Sequence, residues 1–348
     1  MYTEEKLNAA PFRKRLVDEL DAYIISERAK CNEKRRAFFS PDTSTKESYE
    51  GSCKELRNEL AAMLGAPLGS QESATPTKAE HILISDEGNF TIERLIVEVS
   101  PGLSSYGLLF VPKGEGKHPY VSVLHGGAGT CEIVSSLYNS ANYRDLAMRI
   151  MKKTNAVIYA PQIMLWSDEY NRNESEKSDN IGRDLKLKQI GSSMAAIEIF
   201  KIIRTVDYII EYLPIDRNRM GIAGLSYGGF YALACAALDT RYKATLSSGF
   251  FNNRFIYHRG DWVWFDSGSK FLDVEIAKLI CPRALCVEVG EKDHLFAPDE
   301  FDPLSSEVEN MYYKLGVKGN FRAHMHPGAH EVCSTDENID WFVERLLN

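Results

Sequence analysis

From residue 119 onward the chain alternates short, mostly apolar runs with longer helical patterns, and this alternation restricts the fold more than any other feature. The runs fall at 120–124, 156–160, 220–224, 244–248, 284–289 and 321–325. Short apolar runs without strict period-two alternation fit strands buried on both faces. Helical patterns lie between them: one ending near Lys153, one over 191–213 that stops at Pro214, an alanine-rich one over 228–238, and a last one over 340–347. Strands that pair in parallel need such crossovers, which cover both faces of the sheet. Ahead of this region, 81–85, 90–99 and 105–111 read as strands joined at Asp86-Glu87-Gly88 and Pro101-Gly102, an antiparallel start to the sheet. Residues 1 to about 65 read as helix punctuated by Pro11 and Pro41, and 66–79 (APLGSQESATPTKA) reads as a linker. The expected division is an N-terminal helical extension over 1–75 and an α/β domain over 76–348. The extension has two open arrangements: packing on the domain, or assembling a homo-oligomer.

Composition narrows the function classes. A formal net charge of -8 argues against nucleic-acid binding, which needs a basic face. The first twenty residues carry charges throughout, without the apolar core of a signal peptide, and no stretch approaches the ~20 apolar residues of a membrane span. The seven cysteines are scattered with no CxxC pair, which argues against a disulfide framework or zinc ribbon. The expectation is a cytoplasmic protein with reduced thiols, acting on a small molecule away from membranes.

One motif carries chemistry. Gly224-Leu225-Ser226-Tyr227-Gly228 matches G-x-S-x-G, directly after the run MGIAG and directly before the helix FYALACAAL. A sharp strand–turn–helix connection there would expose the Ser226 hydroxyl as a nucleophile, with the helix N-terminus favouring developing negative charge. A serine hydroxyl needs an adjacent base. In this arrangement the chain order is serine, then an acid, then histidine. His330, in Pro327-Gly328-Ala329-His330-Glu331 after the last strand, is the candidate base. His324 and His326 share one face of that strand and read as packing or surface positions; with His330 they form an alternative metal-binding cluster. Asp293, in the turn Gly290-Glu291-Lys292-Asp293-His294, is the candidate acid, with Glu288 and Glu291 as minor alternatives. Two backbone N–H groups should bind the oxyanion: Tyr227, and Gly127 in the loop His125-Gly126-Gly127-Ala128-Gly129, with Ala128 second.

These pieces together make the chain resemble the acetyl xylan esterase-like and dienelactone hydrolase-like branch of the α/β hydrolases. The resemblance spans roughly residues 50 to 345 and includes PGLSSYGLLFVPKG, the HGG loop, GLSYGG, ALDTRYKA, CPRALCVEVGEKD and PGAHE. It implies an α/β-hydrolase fold, with a mostly parallel central sheet and helices on both faces. It also implies a Ser-His-Asp serine esterase acting on a short acyl ester, with no metal and no organic cofactor. The stretch QIMLWSDEYNRNESEKSDN after Ala160-Pro161 departs from the branch, where many relatives carry an aspartate and a glycine-rich segment with arginine.

Three other readings share the fold: a small serine peptidase, an acyltransferase, and a non-catalytic ligand-binding protein. A prolyl-oligopeptidase architecture would need a propeller of several blades, each ~40–50 residues, ahead of the hydrolase region, where only about 80 residues stand. The segment 250–271 (FFNNRFIYHRGDWVWFDSGSKF) is dense in aromatics, so Phe250, Trp262 and Trp264 are candidate pocket residues. Asn252, Asn253, Arg254 and His258 are candidate polar groups beside them.

Overall fold

The computed structural model describes residues 2–69, 74–165, 180–258, 260–296 and 298–348. Strands β1 (Ala79–Asp86), β2 (Phe90–Ser100) and β3 (Leu103–Pro112) pair as an antiparallel meander. They are followed by β4 (His118–Leu124), β5 (Val157–Pro161), β6 (Ile215–Leu225), β7 (Ala244–Ser248), β8 (Ala284–Gly290) and β9 (Phe321–His326). All join one sheet in the order β1-β2-β3-β5-β4-β6-β7-β8-β9. β3 and β5 meet antiparallel, and every pairing from β5 to β9 is parallel. The chain leaves β4 toward β5 on one side and returns to β6 on the other. That reversal opens a crevice at the C-terminal ends of β4 and β6, where open α/β sheets hold their ligands.

The helices are α1 (Ala10–Phe38), α2 (Lys46–Leu64), α3 (Cys131–Val134), α4 (Leu146–Thr154), α5 (Asn180–Gln189), α6 (Met194–Tyr212), α7 (Tyr227–Leu238), α8 (Ser267–Lys270), α9 (Asp273–Lys278), α10 (Phe301–Lys314) and α11 (Glu337–Leu347). Residues of α3, α4 and α11 share one core cluster with Val121, Val123, Ala223 and Leu225 of the sheet. Residues of α2, α6, α7, α9 and α10 share the other with Tyr120, Leu124, Met220 and Ile222. Side chains alternate across a strand, so β4 and the second half of β6 feed both cores at once, which explains why those stretches are mostly apolar rather than alternating.

Several boundaries differ from the expected ones for physical reasons. β6 starts at Ile215 rather than 220, and its first half, with Asp216, Arg217, Asn218 and Arg219, is largely exposed and so gives no apolar signal. α10 carries Pro303 in its first turn, where the missing N–H costs little, and buries Phe301, Ser305, Val308 and Tyr312 at helical spacing. α2 is capped by Thr45, whose hydroxyl accepts from Ser48 N at 3.0 Å. It buries Tyr49, Cys53, Leu60, Ala61 and Leu64, so the stretch before residue 75 contributes to the same core as the sheet. α1 buries none of its residues. Of the expected linker, 70–73 lie outside the described residues, as do 166–179 of the divergent stretch. Among the described residues no helix is long and apolar enough to cross a membrane, and all seven cysteines are free thiols.

Candidate active site

Ser226 stands between β6 and α7 with φ 61° and ψ -124°, a conformation that side chains other than glycine's rarely adopt. The turn is tight: a Cβ on Gly224 would overlap the Gly228 backbone, and one on Gly228 would overlap the Leu124 carbonyl. Glycine at both positions lets strand, turn and helix approach closely enough to lift Ser226 out of the strand. Its N–H donates to Ser248 O at 2.8 Å, which fixes the turn against β7.

His330 and Asp293 meet at the ends of β9 and β8. His330 Nδ1 lies 2.8 Å from Asp293 Oδ2, with the carboxylate buried. Asp293 Oδ1 accepts the N–H groups of Leu295 and Phe296, at 2.8 and 3.2 Å. Burial pushes the Asp293 carboxyl up, but the His330 hydrogen bond and charge, with the two backbone donors, hold it below the usual carboxylate range. The two loops are tied by Glu291 N–H donating to His326 O (2.8 Å) and Lys292 N–H to Gly328 O (2.9 Å). The His330 ring also packs at 5.7 Å from that of Phe296.

Glu288 is fully buried and acts as a strut rather than approaching His330. Its Oε1 accepts from Ser248 Oγ (2.7 Å) and Cys333 N (2.9 Å), and its Oε2 accepts from Asn338. Through it, the strand end that holds the Ser226 turn is linked to the loop that carries His330. Among the described residues Glu288, His324 and Cys333 form a group whose ligand atoms lie within 4.8 Å of one another. His324 Nδ1 faces the Asn338 amide at 2.7 Å, so this group is threaded by hydrogen bonds. His326 is buried beside Gly328 and belongs to no such group.

The loop after β4 is braced from three sides. Gly126 N–H donates to Tyr143 Oη (2.8 Å), Ala128 N–H to Leu165 O (2.7 Å) and Gly129 N–H to Gly126 O (3.2 Å). The Gly127 N–H has no partner among the described residues and lines the cavity with Ser226. His125 is buried beneath the loop. Ile163 N–H donates to its Nε2 (2.9 Å), so the proton sits on Nδ1, which donates to Gly126 O (2.8 Å). Burial pushes this imidazole down to about 4, so it is neutral.

A cavity of about 640 Å³ joins these parts, lined by Gly127, Ser226, Tyr227 and His330, and walled by Tyr257, Trp262 and Phe296 among others. Trp262 reaches it; Trp264 and Phe250 stand one layer back. Trp264 stacks on Phe230 and donates to Ser193 Oγ at 3.2 Å, while Phe250 is wedged between Phe230, Trp262 and Phe296. Of the four polar candidates only His258 lines the cavity. Arg254 pairs with buried Asp273 at 2.5 Å, Asn253 donates to Glu300, and Asn252 turns back to the Phe250 carbonyl. Asn142 and Tyr143 also line the cavity and follow no sequence motif, so nothing in the sequence marks them.

The sheet order and crossovers are those of the α/β-hydrolase fold. The family model described as "Prolyl oligopeptidase family" matches residues 178–273. "Putative hydrolase YtaP" of Bacillus subtilis (strain 168) is 24% identical over 277 residues, 77% of this chain and 91% of that protein. A solved structure from Bacteroides fragilis NCTC 9343, described as "a putative acetyl xylan esterase", superposes with a TM-score of 0.68 at 14% identity, covering 91% of this chain and 88% of its own. A glucuronoyl esterase from Solibacter usitatus gives a TM-score of 0.63 at 15% identity, over 88% of this chain and 95% of its own.

Proposed function

We propose that this chain is a serine hydrolase that cleaves a short carboxylic ester through an acyl-enzyme, with Ser226 as nucleophile, His330 as base and Asp293 as its partner. The observation that carries this reading is the Asp293–His330 hydrogen bond at 2.8 Å, on the cavity that Ser226 also lines from its strained turn. Similarity to structures described as acetyl xylan and glucuronoyl esterases supports an ester as substrate.

Ser226 Oγ attacks the acyl carbon as His330 Nε2 takes its proton, and ionised Asp293 holds Nδ1–H and stabilises the imidazolium. The carbonyl oxygen becomes an oxyanion facing the N–H groups of Gly127 and Tyr227 at the N-terminus of α7. Collapse expels the alcohol, which receives the proton from His330. Water then attacks the acyl-serine by the same route, releasing the acid and restoring Ser226. Neutral His125 sits below the oxyanion loop as a fixed support and takes no proton in this sequence.

The match to the prolyl oligopeptidase family favours an amide as second reading, since the same groups cleave both. A labelling experiment with a fluorophosphonate, followed by turnover of p-nitrophenyl acetate, butyrate and aminoacyl p-nitroanilides, decides between them. Covalent labelling lost in Ser226→Ala, with esters turned over faster than anilides, is the expected result. An unlabelled wild-type chain would sink the nucleophile assignment.

A further inference from the structure

α1 presents an apolar face that the described residues leave uncovered. Near its C-terminus Arg28 lies over the Phe255 ring at 4.5 Å, Arg35 pairs with Glu275 at 3.1 Å, and Phe38 packs edge-on against Phe271 at 5.3 Å. Residues 28, 31, 35 and 38 follow helical spacing, so they define the face that docks on the domain. One turn back, that face continues as Ile24, Leu20 and Val17 up to Arg13, and the adjoining row is Tyr23, Leu16 and Phe12, with Glu27 between the rows. All are exposed: Phe12 72%, Leu16 67%, Leu20 58%, Tyr23 62%. At 1.5 Å per residue, residues 10–27 overhang by about 27 Å. The docking face is thus prolonged past what it docks on.

We propose that this overhang pairs antiparallel with the α1 of a second copy of the chain, about a two-fold axis near Val17. The charges beside the stripe select this occupant and this direction. One flank carries Arg15 and Glu19, paired with each other along the helix at 2.6 Å, and the other carries Asp21 and Lys14, the latter paired with Asp18 at 2.6 Å, so contacts to a second copy would extend these pairs. In an antiparallel two-fold pair each flank meets its own reversed copy, so Arg15 faces Glu19 of the other helix and Lys14 faces Asp21. A parallel pair would bring the Arg15 flank level with the Lys14 flank, cation against cation. Beside the stripe the charges are balanced, Arg13, Lys14 and Arg15 against Asp18, Glu19 and Asp21, whereas helices that lie on an anionic membrane surface keep an excess of Lys and Arg beside their apolar face.

The test is the mass of the full chain in solution at tens of micromolar, by light scattering on a sizing column. The wild type should give twice the chain mass and Leu20→Glu/Ile24→Glu the single-chain mass, with helical circular dichroism retained because neither side chain is buried in the monomer. Arg15→Glu should weaken dimerisation about tenfold or more, and adding Glu19→Arg should restore it. In a Cys31→Ser background, Val17→Cys should cross-link to itself on mild oxidation and Tyr23→Cys should not. Self-cross-linking at Tyr23→Cys but not at Val17→Cys would overturn the antiparallel pairing. A wild type of single-chain mass would overturn the proposal, and its sedimentation with phosphatidylglycerol vesicles would assign the face to a membrane instead.

Discussion

Tyr143 Oη accepts the Gly126 N–H at 2.8 Å, while its neighbour Asn142 donates to the His330 carbonyl at 3.1 Å. Val332 N–H returns to Asn142 O at 2.9 Å, and Arg144 pairs with Glu331. One short segment after α3 therefore ties the loop after β4 to the loop that carries His330.

Tyr143→Phe removes the acceptor and strands a buried N–H, at a cost of about 1–3 kcal/mol. The expected outcome is kcat lowered about tenfold or more with KM little changed, because a displaced oxyanion donor weakens only the transition state. Steady-state kinetics beside a melting curve check this. A lower Tm with kcat intact would reduce Tyr143 to a structural prop.

Asp293→Asn should keep the fold and lower kcat by about 10⁴-fold, since an amide cannot stabilise the imidazolium. His330→Ala should be as severe, and His324→Ala, bonded to Asn338 away from the cavity, should stay within about tenfold of wild type. Rates on p-nitrophenyl acetate rank the three.

Trp262 and Trp264 should separate cleanly. Trp262→Ala enlarges the cavity and should raise kcat/KM for longer acyl chains relative to acetate. Trp264→Ala opens a void in the packed core and should cost about 3–5 kcal/mol while leaving the acyl ranking alone. An altered ranking in Trp264→Ala would contradict its place one layer back.

His125 should make stability depend on pH. Its folded pKa, about 4, lies below the unfolded value near 6.5, so the unfolded chain binds the extra proton first. Stability therefore falls as pH drops from about 6.5 toward 4, by an amount on the order of 3 kcal/mol for this group. Urea unfolding at pH 7 and pH 4.5 should show a smaller difference in His125→Gln than in wild type. An equal difference would place the acid sensitivity elsewhere.

The pairing of Asp293 with His330 is legible in the sequence because the strand order fixes which loops converge, and the short apolar strands make that order readable. Phe250, Trp262 and Trp264 mark the limit. Aromatic density signals burial, and a pocket wall and the layer behind it demand the same residue types. Asn142 and Tyr143 are illegible for another reason: they act through two backbone atoms far away in sequence, and such contacts leave no local pattern. The exposed start of β6 and the proline in α10 hide elements whose partners decide them.

The positive φ of Ser226 has a consequence for selection. A serine in that conformation costs about 1–3 kcal/mol that glycine would largely avoid. Ser226→Gly should melt above wild type while losing all turnover. Directed evolution for heat endurance alone would drift toward glycine at 226, and only a screen that demands catalysis would hold the serine in place.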